Sequence, residues 1–219
     1  MTTVDIIKEL ILKHDIKTLR LVDFDKSKYV QENPLIGKDA MKVVDEALSL
    51  KKELDIPFWD AVNISNSRTK HWSSELIELA DHHNVSKYSE IAAEKISEDF
   101  SPDSNIGINS RVKLSSGETK HIPMIDFHIN HTASSLEIVK SVSKQLNQSN
   151  GYIIDSGASY HYIGASLMNE EDFMSFLAHS LLYGPIVDNR WVAHQLIERS
   201  ATLRIGKKHD LMPRLIADL

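Results

Sequence analysis

Gly151 to Gly164 reads GYIIDSGASYHYIG. Tyr152, Ile153 and Ile154 make a short apolar run, and Tyr160 to Gly164 makes a second, rich in aromatic residues. Ser156-Gly157 between them is a turn signal. Two such runs around a glycine-containing turn predict strands at 151–155 and 160–164. Upstream, Ser134 to Asn147 places Leu136, Val139, Val142 and Leu146 on one side, which predicts an amphipathic helix. Before it, Arg111–Leu114 and His121–Ile129 read as strands joined by Ser115-Ser116-Gly117-Glu118. Downstream come helices over 169–183 and 188–199 and a last strand over 201–205. The strands at 121–129, 151–155, 160–164 and 201–205 are expected in one sheet, with helices 134–147 and 169–183 against it.

The first hundred residues follow another pattern. Helical spacing predicts helices over 4–14, 39–54, 73–83 and 86–96, with Met41, Val44, Ala47 and Leu48 on the apolar side of the second. Lys17–Phe24 is the exception, a short strand, and Phe58-Trp59 reads as a core anchor. Ser101 to Ser110, SPDSNIGINS, is rich in turn formers. The expected class is therefore α+β: a mainly helical region over 1–105, then a mostly antiparallel sheet backed by helices over 106–219.

Composition narrows the chemistry. The 219 residues include no cysteine, which removes disulfide scaffolds and thiolate metal sites. No apolar run approaches the length of a membrane span, so the expected setting is cytoplasmic. The formal charge is −6, so no overall positive field gathers nucleic acid. Arg190, Arg199, Arg204, Lys207, Lys208 and Arg214 nevertheless crowd the C-terminal end, as a local phosphate site or as a solvated face.

Three segments carry candidate chemistry. In Met124-Ile125-Asp126-Phe127-His128-Ile129, strand alternation puts Asp126 and His128 on one face and the apolar residues on the other. A carboxylate beside an imidazole is a candidate metal-ligand pair, and the plain alternative is a polar strand face. In the hairpin, Ser159 and His161 share a face and both carry hydrogen-bonding groups suited to phosphate. In Pro185-Ile186-Val187-Asp188, Asp188 is either a ligand or simply a helix N-cap.

In this order, the segments resemble the archaeo-eukaryotic primase-polymerase superfamily. Asp126 matches the first aspartate of its paired-aspartate strand, Ser159 and His161 match its Ser-any-His motif, and Val187-Asp188 matches its later acidic motif. Leu203-Arg204 with Lys207 and Lys208 resembles its basic segment. The likeness covers Arg111 to the C-terminus, and the layout is similar to small bacterial primase-like proteins of DNA replication. It implies an RRM-related palm and a nucleotidyltransferase working on nucleoside triphosphate and nucleic acid with Mg or Mn. In that role Asp126 and Asp188 are catalytic, and Asp126, His128 and Asp188 hold metal. Ser159, His161, Arg204, Lys207 and Lys208 bind the nucleotide.

One departure stands out. His128 occupies the position of the family's second aspartate. Magnesium favours oxygen ligands, so the exchange shifts preference toward manganese or leaves a catalytically inactive, primase-fold nucleotide- or partner-binding protein. A second alternative is a metal hydrolase built on His128, His131, His161 and His194. Leu21-Val22-Asp23-Phe24-Asp25 also spells two aspartates around an apolar residue, but it lies among helices far upstream and reads as coincidence.

Overall fold

The computed structural model describes residues 1–23, 45–56, 61, 64, 88–98, 106–207 and 211–219. The chain forms two compact units, Met1–Asp23 with Tyr88–Leu219, and Phe24–Lys87. The first unit thus takes in residues on both sides of the boundary expected at 105. In the second, residues 45–54 are helical. Ala47 and Leu50 are buried there, whereas Leu48, expected on the inner side, is exposed. Phe58-Trp59, the helix expected over 73–83, and Phe24 and Asp25 lie outside the described residues.

The first unit is α+β. Helix α1 (Thr3–His14) starts at a reciprocal cap between Thr2 and Asp5 and buries Ile6, Ile7 and Leu10. It ends at Asp15, whose left-handed backbone turns the chain into β1 (Ile16–Asp23). Then follow β2 (Tyr88–Ala92), the short α2 (Lys95–Glu98), β3 (Ile106–Asn109), β4 (Arg111–Leu114) and β5 (Thr119–His121). Next come β6 (Met124–Asp126), α3 (Ala133–Gln145), β7 (Gly151–Asp155), β8 (Tyr160–Gly164) and α4 (Glu170–Ser180). The unit closes with α5 (Asn189–Glu198), β9 (Thr202–Arg204) and β10 (Arg214–Asp218).

Among the described residues the strands form two sheets, and the strand pairs within each are antiparallel. One has the order β5-β4-β1-β3-β9 with β2 also on β1; the other has the order β10-β7-β8-β6. One continuous cluster of buried side chains, from Ile6 and Leu19 through Ile125, Tyr162 and Phe173 to Leu203, fills the interior.

Three expectations change. The helix expected over 86–96 is replaced by β2 and the short α2, because residues 88–92 pair with β1 from Val22↔Tyr88 to Thr18↔Ala92. Tertiary pairing overrides a helical period here. The strand expected over 121–129 is two strands. Pro123 cannot donate to a ladder, and the chain leaves β5 in one sheet to enter β6 in the other. The last strand, β9, pairs with β3, so 202–204 does not join 151–155 and 160–164 in a single sheet. A three-residue strand whose Thr202 and Leu203 are both buried carries no alternation to say which sheet receives it. The expected helices over 134–147, 169–183 and 188–199 are present as α3, α4 and α5, with a single 3₁₀ turn at Leu181–Tyr183 after α4.

Candidate functional site

The three candidate segments meet at the end of β6. Met124 and Ile125 are fully buried and pair with Ile163 and Tyr162 of β8. This register sets Asp126 directly opposite His161. Opposed residues on an antiparallel pair share a face. Accordingly His161 Nε2 lies 3.5 Å from Asp126 Oδ1, with the side chains 8% and 30% exposed.

Past β6 the chain stays bound on both sides. Phe127 N–H donates to Tyr160 C=O at 3.0 Å. On the other side, Asp188 N–H donates to Asp126 C=O at 3.0 Å and His128 N–H to Ile186 C=O at 2.7 Å. The backbone of 126–128 therefore runs between the Ser-any-His strand and the segment carrying Asp188. Alternation is as expected: Ile125 and Phe127 are buried, Asp126 is half-buried and His128 exposed.

Most polar groups at this junction serve the protein itself. Ser159 Oγ accepts from Ile129 N–H at 3.1 Å, and its single proton serves the carbonyls of Phe127 and Ile129. Asp188 caps α5, its Oδ1 accepting from Arg190 N–H at 3.0 Å and Trp191 N–H at 3.1 Å. That is the plain cap the sequence allowed. Arg204, at the end of β9, donates from Nη1 to Gly206 C=O at 2.7 Å and from Nη2 to the Ser156 carbonyl in the β7–β8 turn. It thereby ties one sheet to the hairpin of the other. Lys207 follows, half-buried, and Lys208 lies outside the described residues.

The electrostatics follow from burial. His161 is pushed down to about 3, first by desolvation and then by the Arg204 charge, so its imidazole is neutral at physiological pH. Its Nδ1 is buried without a hydrogen-bond partner. Desolvation also lowers Arg204, and the negative charge of Asp126 opposes that shift. The charges of Asp126 and Arg204 lie within reach of each other's field, beside a neutral ring.

A divalent ion fits this arrangement poorly. Among the described residues, no group of three or more His, Asp or Glu side chains is disposed to hold a metal ion. Asp126, His128 and Asp188 are adjacent in backbone but do not form such a group. Neither do His128, His131, His161 and His194. His131 instead donates toward the Ser159 carbonyl, lies 3.5 Å from Asp155 Oδ1 and packs its ring on Tyr160 with centroids 4.5 Å apart.

Sequence reading overlooked Asp155. Its Oδ1 accepts from Gly157 N–H at 2.8 Å, and its Oδ2 lies 3.6 Å from Arg214 Nε. Gly157 has φ +98°, which only glycine adopts without strain. The signal was present in Asp155-Ser156-Gly157, since an aspartate two residues before a turn glycine commonly bonds its amide.

Among the described residues, no helix is long and apolar enough to cross a membrane. No curated protein and no solved structure matches the chain. A family model does: residues 84–216 match the archaeo-eukaryotic primase 1D-like domain. That match rests on sequence and stands although the expected single sheet does not. It leaves out Leu21–Asp25 and contains Asp126, Ser159, His161, Asp188 and Arg204. Because it spans more than half of the 219 residues, the chain belongs to the archaeo-eukaryotic primase 1D-like family.

Proposed function

We propose that this chain is a primase-fold nucleotide-binding protein that has given up two-metal nucleotidyl transfer. The supporting observation is the state of its two motif carboxylates. Asp126 faces a buried, neutral His161, and Asp188 is engaged in capping α5. Two-metal chemistry needs carboxylates converging on the ions that activate a hydroxyl and neutralise phosphate. In this reading Arg204, Lys207 and Lys208 meet the phosphates of a nucleoside triphosphate. Ser159 and His161 are positioning residues, holding the backbone of 127–129 and the Asp126 carboxylate from behind.

A second reading, a metal-dependent primase or polymerase acting on nucleic acid with Mg or Mn, draws support from the adjacency of the three motif segments in the backbone. Ligand binding would then have to bring Asp126, His128 and Asp188 together, with Asp188 ligating through Oδ2 while Oδ1 keeps its cap.

Triphosphate binding and primer extension separate the two, measured with Mg and with Mn for wild type, His128→Asp and Asp126→Ala. The expected outcome is triphosphate binding by wild type and no extension by any of the three, because one restored aspartate does not rebuild a ligand group. Extension by wild type that Asp126→Ala abolishes overturns the binding-only reading and establishes the enzyme.

A further inference from the structure

The family resemblance brings divalent metal with it, and the residues of this chain do not fit that metal. Building on the nucleotide-binding reading, we propose that the site takes the triphosphate without a divalent ion, with the guanidinium of Arg204 supplying the positive charge.

The argument begins with what would attract a metal. A divalent cation needs several oxygen ligands gathered around one point, and excess negative charge is what draws it there. Asp188 directs Oδ1 to two amide protons at the start of α5. The positive end of that ten-residue helix already compensates its charge. Asp126 lies beside an imidazole on one side, and its field acts on Arg204. No third acidic or imidazole group joins them among the described residues. The cluster thus carries its own countercharge.

The second step concerns Arg204. A guanidinium has five N–H donors in a fixed plane. Gly206 and Ser156 accept from Nη1 and Nη2, which fixes the plane of the group between β9 and the β7–β8 turn. The two carbonyls are neutral, so the guanidinium charge is offset only in part, by the field of Asp126, and a pre-oriented fork suits a phosphate better than a mobile lysine does. The turn beside it, Gly157-Ala158, is exposed, and the Asp155 carboxylate in that turn already faces Arg214, so an anion can approach from that side. Metal-independent capture also makes Asp126 a cost to binding, because it repels phosphate. In a metal site the same carboxylate would be indispensable. The two cases therefore predict opposite signs for a single substitution.

The test uses the full chain and calorimetric titration with ATP and with inorganic triphosphate, each in EDTA and in Mn²⁺. Mn²⁺ alone is titrated in parallel and followed by its electron paramagnetic resonance. The expected results are binding in EDTA at least as tight as in Mn²⁺, no uptake of Mn²⁺ alone, and tightening of about fivefold in Asp126→Asn. Arg204→Gln should weaken ATP by about tenfold or more in EDTA. Arg204→Lys, checked for folding by circular dichroism, should recover only part of the loss. ATP bound in Mn²⁺ but not in EDTA, or binding abolished by Asp126→Asn, overturns the metal-free site and leaves nucleotide binding standing. No ATP binding in either condition overturns the nucleotide-binding reading and this inference together. Binding of inorganic triphosphate equal to that of ATP supports a site that reads phosphate rather than base.

Discussion

His121 and His161 are both buried histidines at strand positions, one in each sheet. Their nearest polar neighbours are what differ. His121, at the end of β5, is 1% exposed, has Nδ1 3.1 Å from Ser110 Oγ and stacks on Phe173 with ring centroids 4.5 Å apart. Its Nε2 is buried without a hydrogen-bond partner, as is Nδ1 of His161. Burial is the chief cause of the lowered pKa of each, with a nearby arginine next, Arg111 for His121 and Arg204 for His161. By burial and titration the two are near twins. Yet Ser110 is wholly enclosed, whereas the Asp126 side chain is 30% exposed and lies where three motif segments meet. A perturbed histidine therefore identifies an interior, and only the route from its partner to solvent identifies a candidate site.

The largest expected effect is on acid stability, to which both buried histidines contribute, and His121 is the one that can be replaced without touching the candidate site. Its folded pKa, about 4, lies below the ordinary 6.5, so the unfolded chain takes up the proton first. The contribution is complete above pH 6.5, falls as pH drops, and is lost as pH passes through about 4. The loss is of the order of a few kcal/mol. Urea denaturation between pH 7.5 and 4 measures it, and His121→Gln should reduce the slope below pH 6.5, leaving the share that His161 contributes. An unchanged slope would mean that His121 is not a buried neutral ring, and the likeness between the two histidines would break.

Intermediate in size are two serine substitutions, one beside each histidine. Ser110→Ala takes the hydroxyl from His121 and from Ala201 N–H, which donates to Ser110 Oγ at 2.9 Å. Ser159→Ala takes the acceptor from Ile129 N–H. Each should cost roughly 1–3 kcal/mol, the usual penalty for orphaning a buried group. Calorimetry then sharpens the contrast. Ser159→Ala should also change triphosphate binding, because it loosens residues 127–129 beside Asp126, whose charge acts on Arg204, and Ser110→Ala should leave binding unchanged. Equal effects on binding would mean that the β6–β8 junction has no special tie to the ligand.

Local chemistry in the sequence read well, and long-range pairing did not. Alternation around Asp126 placed Ile125 and Phe127 inside, and Ser156-Gly157 marked the hairpin turn. Asp188 before α5 carried both its readings openly, ligand or cap, and only the amide contacts at Arg190 and Trp191 separate them. The adjacency of the motif segments came from the family likeness, since no periodicity reports that Asp188 N–H reaches Asp126 C=O. The strand at 88–92 was hidden because its pairing energy resides in β1, some seventy residues upstream. His121 drew no notice because nothing local shows that Phe173 will cover it.

The smallest effect expected is at Glu170, which touches the enclosed histidine only through its field. Its Oε1 lies 2.6 Å from Arg199 Nε, with side chains 46% and 61% exposed. The hydrogen bond from Arg199 is the main reason the Glu170 pKa is lowered. A folded pKa below the unfolded value means that this pair's contribution is present above about 4.5 and is lost as pH falls through the folded value. Solvent screens a pair this open, so Glu170→Gln should cost at most about 1 kcal/mol at neutral pH. For a chain of this size that corresponds to a fall in Tm of no more than about 4 °C. The same carboxylate raises the pKa of His121, against burial and Arg111. Its removal should therefore move the His121 titration, followed by ring-proton NMR, further down and leave His161 where it is. An upward shift at His121, or a matching shift at His161, would mean that the two histidines share one electrostatic environment rather than two.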